Sequence, residues 1–175
     1  MKINTVIVVG LSMLACGYTR AAAPPLTASK SITIDASAAK VWRAAKDFNG
    51  LNSWHPAVAT DEIVEGKNNT VGAVRLLTLK GGGTIKEKLL RFDPAGRSFK
   101  YAIIEGVLPV SDYTSTFAVK SAGKNKSSVT WTGRFKRKNV GDNPAENEND
   151  KTAVDTAGGV YQAGLDNLKK IVEAQ

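Results

Sequence analysis

Arg75 and Glu87 are the pair in this sequence with the most chemistry to offer. They lie in two apolar stretches, residues 74–79 and 84–92, on either side of Gly81-Gly82-Gly83. A hairpin through that turn brings a guanidinium and a carboxylate to facing positions. A carboxylate buried alone costs several kcal/mol or takes up a proton. An inward Arg75 would therefore pair with Glu87, and the pair would hold a polar group of a bound molecule; in the opposite strand phase, both charges face solvent. His55, the only histidine, stands between Trp54 and Pro56, and its ordinary pKa near neutrality invites a general-base role. No serine, cysteine or carboxylate stands in motif relation to it, so a residue packed at the end of a helical turn is the simpler expectation. One histidine and one cysteine do not make a transition-metal ligand set, and no cofactor signature is present. Lys80-Gly81-Gly82-Gly83 lacks the following Lys-Ser/Thr of a phosphate loop and sits between strands, so it reads as a turn.

Something must position these groups, and the last segment is the natural axis. Across residues 151–173, Val154, Gly158, Tyr161, Leu165, Leu168 and Val172 recur at intervals of three or four on one helical face. Asp155, Gln162, Asp166, Lys169, Lys170 and Glu173 take the other side. At about 1.5 Å per residue this rod is roughly 34 Å long and needs long strands to bury its face. Period-two segments at residues 29–34, 58–64, 74–79, 84–92, 98–105, 111–120 and 127–136, separated by Gly/Pro/Asn/Asp turns, supply them. Strands of about ten residues span about 33 Å, which matches the helix. Between the first two strands, a short helix over residues 38–47, capped by Asp35 or Ser37, precedes a second helical turn over residues 51–55. Hairpin strands followed by one long helix argue an α+β domain.

Alternation also assigns the strand faces. Ile85, Glu87 and Leu89 share one; so do Phe99, Tyr101 and Ile103; Tyr113, Ser115, Phe117 and Val119; and Val129, Trp131, Gly133 and Phe135. In residues 74–79 the phase is open, because Arg75, Leu77 and Leu79 compete with Val74, Leu76 and Thr78. Residues 140–150, with four carboxylates among Asn and Pro, make an exposed, mobile loop that places Asp150 at the helix N-terminus, where the dipole favours it.

A chain of 175 residues with 42% apolar and 23% charged side chains is of single-domain length and globular in type. Residues 1–21 read as a secretory signal: Lys2, a short apolar core through Leu14, and Thr19-Arg20-Ala21 before a cut after Ala21. A lipoprotein box ending at Cys16 is the rival expectation. Residues 22–28 form a Pro-containing leader, and residues 29–175 the domain, with no apolar run of membrane-spanning length in the mature chain. The formal charge of +8 falls to +6 once Lys2 and Arg20 are removed. Arg134, Lys136, Arg137 and Lys138 form a basic strand end that fits an acidic periplasmic protein partner better than nucleic acid, for which no motif is present; a solvated edge is the plainer alternative.

The order of elements resembles the START-like superfamily, which includes the Bet v 1 allergens and polyketide cyclase/dehydrase-like proteins. Val41-Trp42, Trp54-His55-Pro56, Gly72-Ala73-Val74-Arg75-Leu76-Leu77 and Glu87-Lys88-Leu89-Leu90 are similar to the subgroup typified by MxaD, a periplasmic protein of methanol oxidation. So are Leu108-Pro109-Val110, Val129-Thr130-Trp131 and Tyr161-Gln162-Ala163-Gly164-Leu165. The resemblance implies a helix-grip fold, in which a curved sheet of about seven strands wraps the C-terminal helix and leaves a cavity. Trp54, His55, Arg75, Leu77, Glu87, Leu89, Tyr101, Ile103, Tyr113, Phe117, Trp131, Tyr161 and Leu165 are the side chains expected to line it. It further implies a non-enzymatic periplasmic protein holding a small apolar or amphipathic ligand, or an accessory to an oxidation system acting through its surface. The alternative is a cyclase-like enzyme with Glu87, Arg75, His55 or Tyr113 in acid/base roles.

Overall fold

A computed structural model describes residues 24–175; the expected signal segment and Cys16 lie outside the described residues. Seven strands form one antiparallel sheet in the order β1-β7-β6-β5-β4-β3-β2. They are β1 (Leu26–Ile34), β2 (Val58–Glu65), β3 (Val74–Leu79), β4 (Thr84–Asp93), β5 (Ser98–Gly106), β6 (Val110–Gly123) and β7 (Lys126–Arg137). Helix α1 (Ala38–Ala45) follows β1, and α2 (Asp150–Glu173) lies across the curled sheet, chiefly on β1 and β7. This is the helix-grip α+β arrangement. All links from β2 to β7 are hairpins, whereas β1 closes on β7 from the far end of the chain.

Local chemistry accounts for the boundaries. Ser37 caps α1 by accepting from the Lys40 N–H at 3.3 Å. Asn149, rather than Asp150, caps α2, accepting from the Thr152 N–H at 2.8 Å. Asp150 sits in the first turn and meets Arg137 Nη1 at 2.6 Å. The β3–β4 turn puts Gly82 and Gly83 at φ of 94° and 82°, a conformation that side chains resist.

Four expectations need correction. Strand β1 begins at Leu26, earlier than Ser29, because Leu26, Thr27 and Ala28 continue the ladder opposite Phe135, Arg134 and Gly133. The second short helix is a single 3-10 turn, Leu51–Ser53, stopped before Pro56. On α2 the buried face takes in Ala153, Ala157 and Gly164, while Val154 is only half-buried, so small residues let the helix approach the sheet closely. The acidic loop is exposed but tied down: Arg137 donates to the carbonyls of Asn139 and Gly141, and Asn139 donates to Glu148.

In β3 the open phase resolves with Arg75 and Leu77 inward. A bulge in β6, with Asp112 at φ 48°, lets Val110 and Tyr113 both point into the core although three positions separate them.

Candidate functional site

The core has one charged centre. Arg75, 1% exposed, donates through Nε to Glu87 Oε2 at 2.8 Å and has Nη2 2.6 Å from the same oxygen. The two residues are direct cross-strand partners in the β3–β4 register, as the hairpin reading required. Nη1 reaches the Phe48 carbonyl at 2.5 Å and Asp61 Oδ2 at 3.3 Å. The guanidinium also lies over the Phe48 ring, 4.2 Å from its centroid. Asp61 accepts from the Leu51 N–H at 2.9 Å, which anchors the 3-10 turn to β2.

Charges here do not cancel: one guanidinium faces two carboxylates. Burial pushes the Glu87 carboxyl up, and Arg75 pulls only part of that back. Asp61 is raised for the same reason, burial outweighing Arg75 and the Leu51 amide. Burial works against the Arg75 charge, but Glu87 and Asp61 outweigh it and hold its pKa above the ordinary value. Both guanidinium contacts converge on Glu87 Oε2 and neither reaches Oε1, while Asp61 Oδ1 is buried without a partner.

Beside this centre, β3, β4 and β5 stand off from α2 and enclose a cavity of about 70 Å³. Glu87, Tyr101, Tyr113, Trp131 and His55 form its floor; Leu77 and Ile85 form a wall; and the half-buried Leu79, Ile103, Leu108 and Val160 form the rim. The ring hydroxyls and the indole are linked: Trp131 Nε1 donates to the Tyr101 hydroxyl at 3.0 Å, and the hydroxyls of Tyr113 and Tyr161 are bonded to each other. Gly133 makes room for that bond, because a Cβ there would strike the Tyr161 hydroxyl. Burial drives the Tyr101 and Tyr113 phenols well up, so both are neutral.

His55 has a fixed role. Its Nδ1 accepts from the Ala57 N–H at 3.2 Å, so Nε2 bears the hydrogen and donates to the Val160 carbonyl at 3.0 Å. Burial lowers its pKa against the opposing pull of that carbonyl, and the ring stays neutral. The ring can approach α2 because residue 164 is glycine; a Cβ there would lie 2.5 Å from His55 Cδ2. With both nitrogens engaged, His55 is a strut between the 3-10 turn and the helix.

Of the thirteen expected side chains, His55, Leu77, Glu87, Tyr101, Ile103, Tyr113 and Trp131 reach the cavity. Arg75 stands behind Glu87. Trp54 packs on Phe117 and Trp131 with ring centroids 5.7 Å away, and Tyr161 stacks on Trp131 at 4.9 Å. Leu89, Phe117 and Leu165 belong to the solid core. Leu51, Ala57, Val58, Leu108 and Val160 were missed because they belong to turns, or to strand and helix positions beside the strongest periodicity. Asp61 was missed as well: β2 carries bulges near both ends that erase its alternation, although its place diagonal to Arg75 would have been a clue.

Of the basic strand end, Lys136 pairs with Asp112, Arg137 with Asp150, and Lys138 donates to the Gly106 carbonyl, leaving Arg134 exposed. Among the described residues, no cluster of His, Cys, Asp and Glu is arranged to hold a metal ion, and no helix is long and apolar enough to cross a membrane.

Comparison with known proteins agrees with this architecture. Residues 25–173 match the family described as polyketide cyclase / dehydrase and lipid transport. An uncharacterised protein from Bacillus thuringiensis is 31% identical, with a TM-score of 0.73, over 84% of this chain and 98% of its own. The protein XoxI from Bacillus cereus is also 31% identical at a TM-score of 0.73, over 83% of this chain and 94% of its own. The ZhuI aromatase/cyclase of a Streptomyces species, 21% identical at a TM-score of 0.70 over 85% of this chain and 94% of its own, shares the fold.

Proposed function

The chain belongs to the polyketide cyclase / dehydrase and lipid transport family, and from that premise we propose that it is a non-enzymatic binding protein that encloses a small apolar or amphipathic molecule under the β3–β5 rim. The cavity carries this proposal: apolar walls, neutral phenols, the committed imidazole of His55 and a single carboxyl, Glu87. Its size sets the guest. About 70 Å³ is under half the roughly 150 Å³ that admits benzene in an engineered apolar cavity, and well below the roughly 300–1,000 Å³ of drug-sized sites. A polyketide chain would need the rim to open several-fold, which disfavours a cyclase-like reaction on Glu87 and Arg75. His55 is a poor general base here, because its Nε2 hydrogen is committed to Val160.

The signal-like pattern of residues 1–21 and the MxaD-like motifs support work outside the cytoplasm, as an accessory to an oxidation system. Exposed Arg134 and the basic surplus would meet an acidic partner protein there. Native mass spectrometry of protein isolated from its source cells tests the proposal. The expected spectrum shows a small mass excess that vanishes on denaturation. The bare chain in every preparation, together with no uptake of small alcohols, would overturn it. The same spectrum reads the cut after Ala21 and any lipid on Cys16.

A further inference from the structure

We infer that the guest carries a primary ammonium group, seated on Glu87 Oε1 at the cavity floor with its short alkyl part against Leu77, Ile103 and Val160. The inference rests on the cavity being the binding site, and it deepens that proposal by fixing the chemistry of the head group.

Three observations converge. The first is the charge count: Arg75 faces both Glu87 and Asp61, so one unit of positive charge is missing from a buried cluster. The second is direction. Both guanidinium contacts fall on Oε2, so Oε1 is the oxygen of Glu87 that Arg75 leaves open; the residue is 4% exposed and lines the cavity. The third is the surroundings. Among the described residues Arg75 alone donates to that carboxylate: the His55 Nε2 hydrogen goes to Val160, the Trp131 indole donates to Tyr101, and Tyr113 is bonded to Tyr161. Trp131 and Tyr101 add aromatic lining to the same cavity. A carboxylate guest would instead meet Glu87 with like charge, since Arg75 stands behind it, fully buried and already engaged.

Without a guest, burial raises the Glu87 and Asp61 carboxyls, which favours a proton held on the cluster. Asp61 from β2 and Glu87 from β4 share it beside the charged Arg75 of β3, while burial holds the His55 pKa down and drives the Tyr101 and Tyr113 phenols up. An entering ammonium releases that proton, so its affinity must rise with pH, whereas that of an alcohol must not.

Propylammonium, 1-propanol and propionate, three-carbon molecules that differ in the head group, provide the test. Each is titrated into the full mature chain while methyl and indole NMR signals are followed at about pH 5 and about pH 8. The expected result at the higher pH is propylammonium binding about tenfold or more tightly than 1-propanol, the gain typical of a charge-assisted bond, with propionate weakest. The ammonium should weaken at the lower pH while 1-propanol stays constant. Glu87→Gln should cut the ammonium preference to about twofold or less while keeping 1-propanol binding; the wild-type series stands without that variant should it fail to fold. Equal binding of ammonium and alcohol, or propionate binding best, overturns the ammonium assignment and leaves the cavity as the site. No cavity shift with any of the three overturns both.

Discussion

At one end of the concave sheet face, Trp42 from α1 packs on Phe92 and Phe99 with ring centroids 6.0 and 6.1 Å away, and Phe48 meets Phe99 edge-on at 6.3 Å. At the other end, Leu77, Ile103, Leu108 and Val160 approach one another without filling the space they enclose. Both ends come from the same strands with the same alternation; Phe99, Tyr101 and Ile103 are consecutive inward residues of β5. The difference lies in the cover. A whole helix with a tryptophan closes the first end, and large rings fill it. The second is closed by a 3-10 turn, the β5–β6 loop and Val160 of α2, which contribute small or branched side chains. Sheet alternation chooses which residues face inward, but the covering segments decide whether the interior becomes core or cavity.

The sharpest way to break this contrast is at its centre. Arg75→Ala strands two buried carboxylates, and the expected loss is about 3–5 kcal/mol in urea unfolding near neutral pH, recovering in part on acidification as they protonate. Phe99→Ala removes the ring on which the packed end converges, with an expected cost of about 3–5 kcal/mol by the same measurement. Gly164→Ala lies on the seam between the two ends; driving a methyl into His55 and Trp131 should cost about 1–3 kcal/mol. Ile103→Ala, on the half-open rim, should cost only about 1 kcal/mol, since much of its surface is already unpacked. An Ile103→Ala cost equal to that of Phe99→Ala would erase the distinction between the ends.

The pH dependence of stability sharpens the contrast more gently. Glu87 and Asp61 have raised pKa values in the fold, so their contribution is fully present below about pH 4 and is lost as pH rises through their folded values. His55 has a lowered one, so its contribution is present above about pH 6.5 and is lost as pH falls through its folded value. Urea midpoints measured across this range should lose much of the high-pH decline in Glu87→Gln and keep the low-pH loss.

Much of this was legible beforehand, for reasons that can be named. Residues 127–136 alternate strictly, residues 84–89 and 98–101 do so around Glu87 and Tyr101, and Glu87, Tyr101 and Trp131 fell on the predicted face. The hairpin through Gly82 and Gly83 fixed Arg75 opposite Glu87 once the phase of β3 was known. That phase was not legible, because Val74 and Arg75, on opposite faces, are both buried. Asp61 escaped because bulges break the period of β2, and an unpaired count of two carboxylates to one arginine appears only in three dimensions. On α2, the apolar stripe predicted Tyr161 and Leu165 at the cavity. The neighbouring Val160 reaches it instead, because the cavity lies to one side of the helix and the stripe points into the solid core.

The central claim is that the β3–β5 end admits a guest and the α1 end does not. Xenon dissolved in a solution of the protein, followed through methyl NMR shifts, asks this directly, because xenon enters apolar cavities and ignores packed core. The account predicts shifts for Leu77, Ile103 and Val160, with Val41 and Val129 unmoved. Shifts spread equally over both ends, or absent from Leu77, Ile103 and Val160, would contradict it.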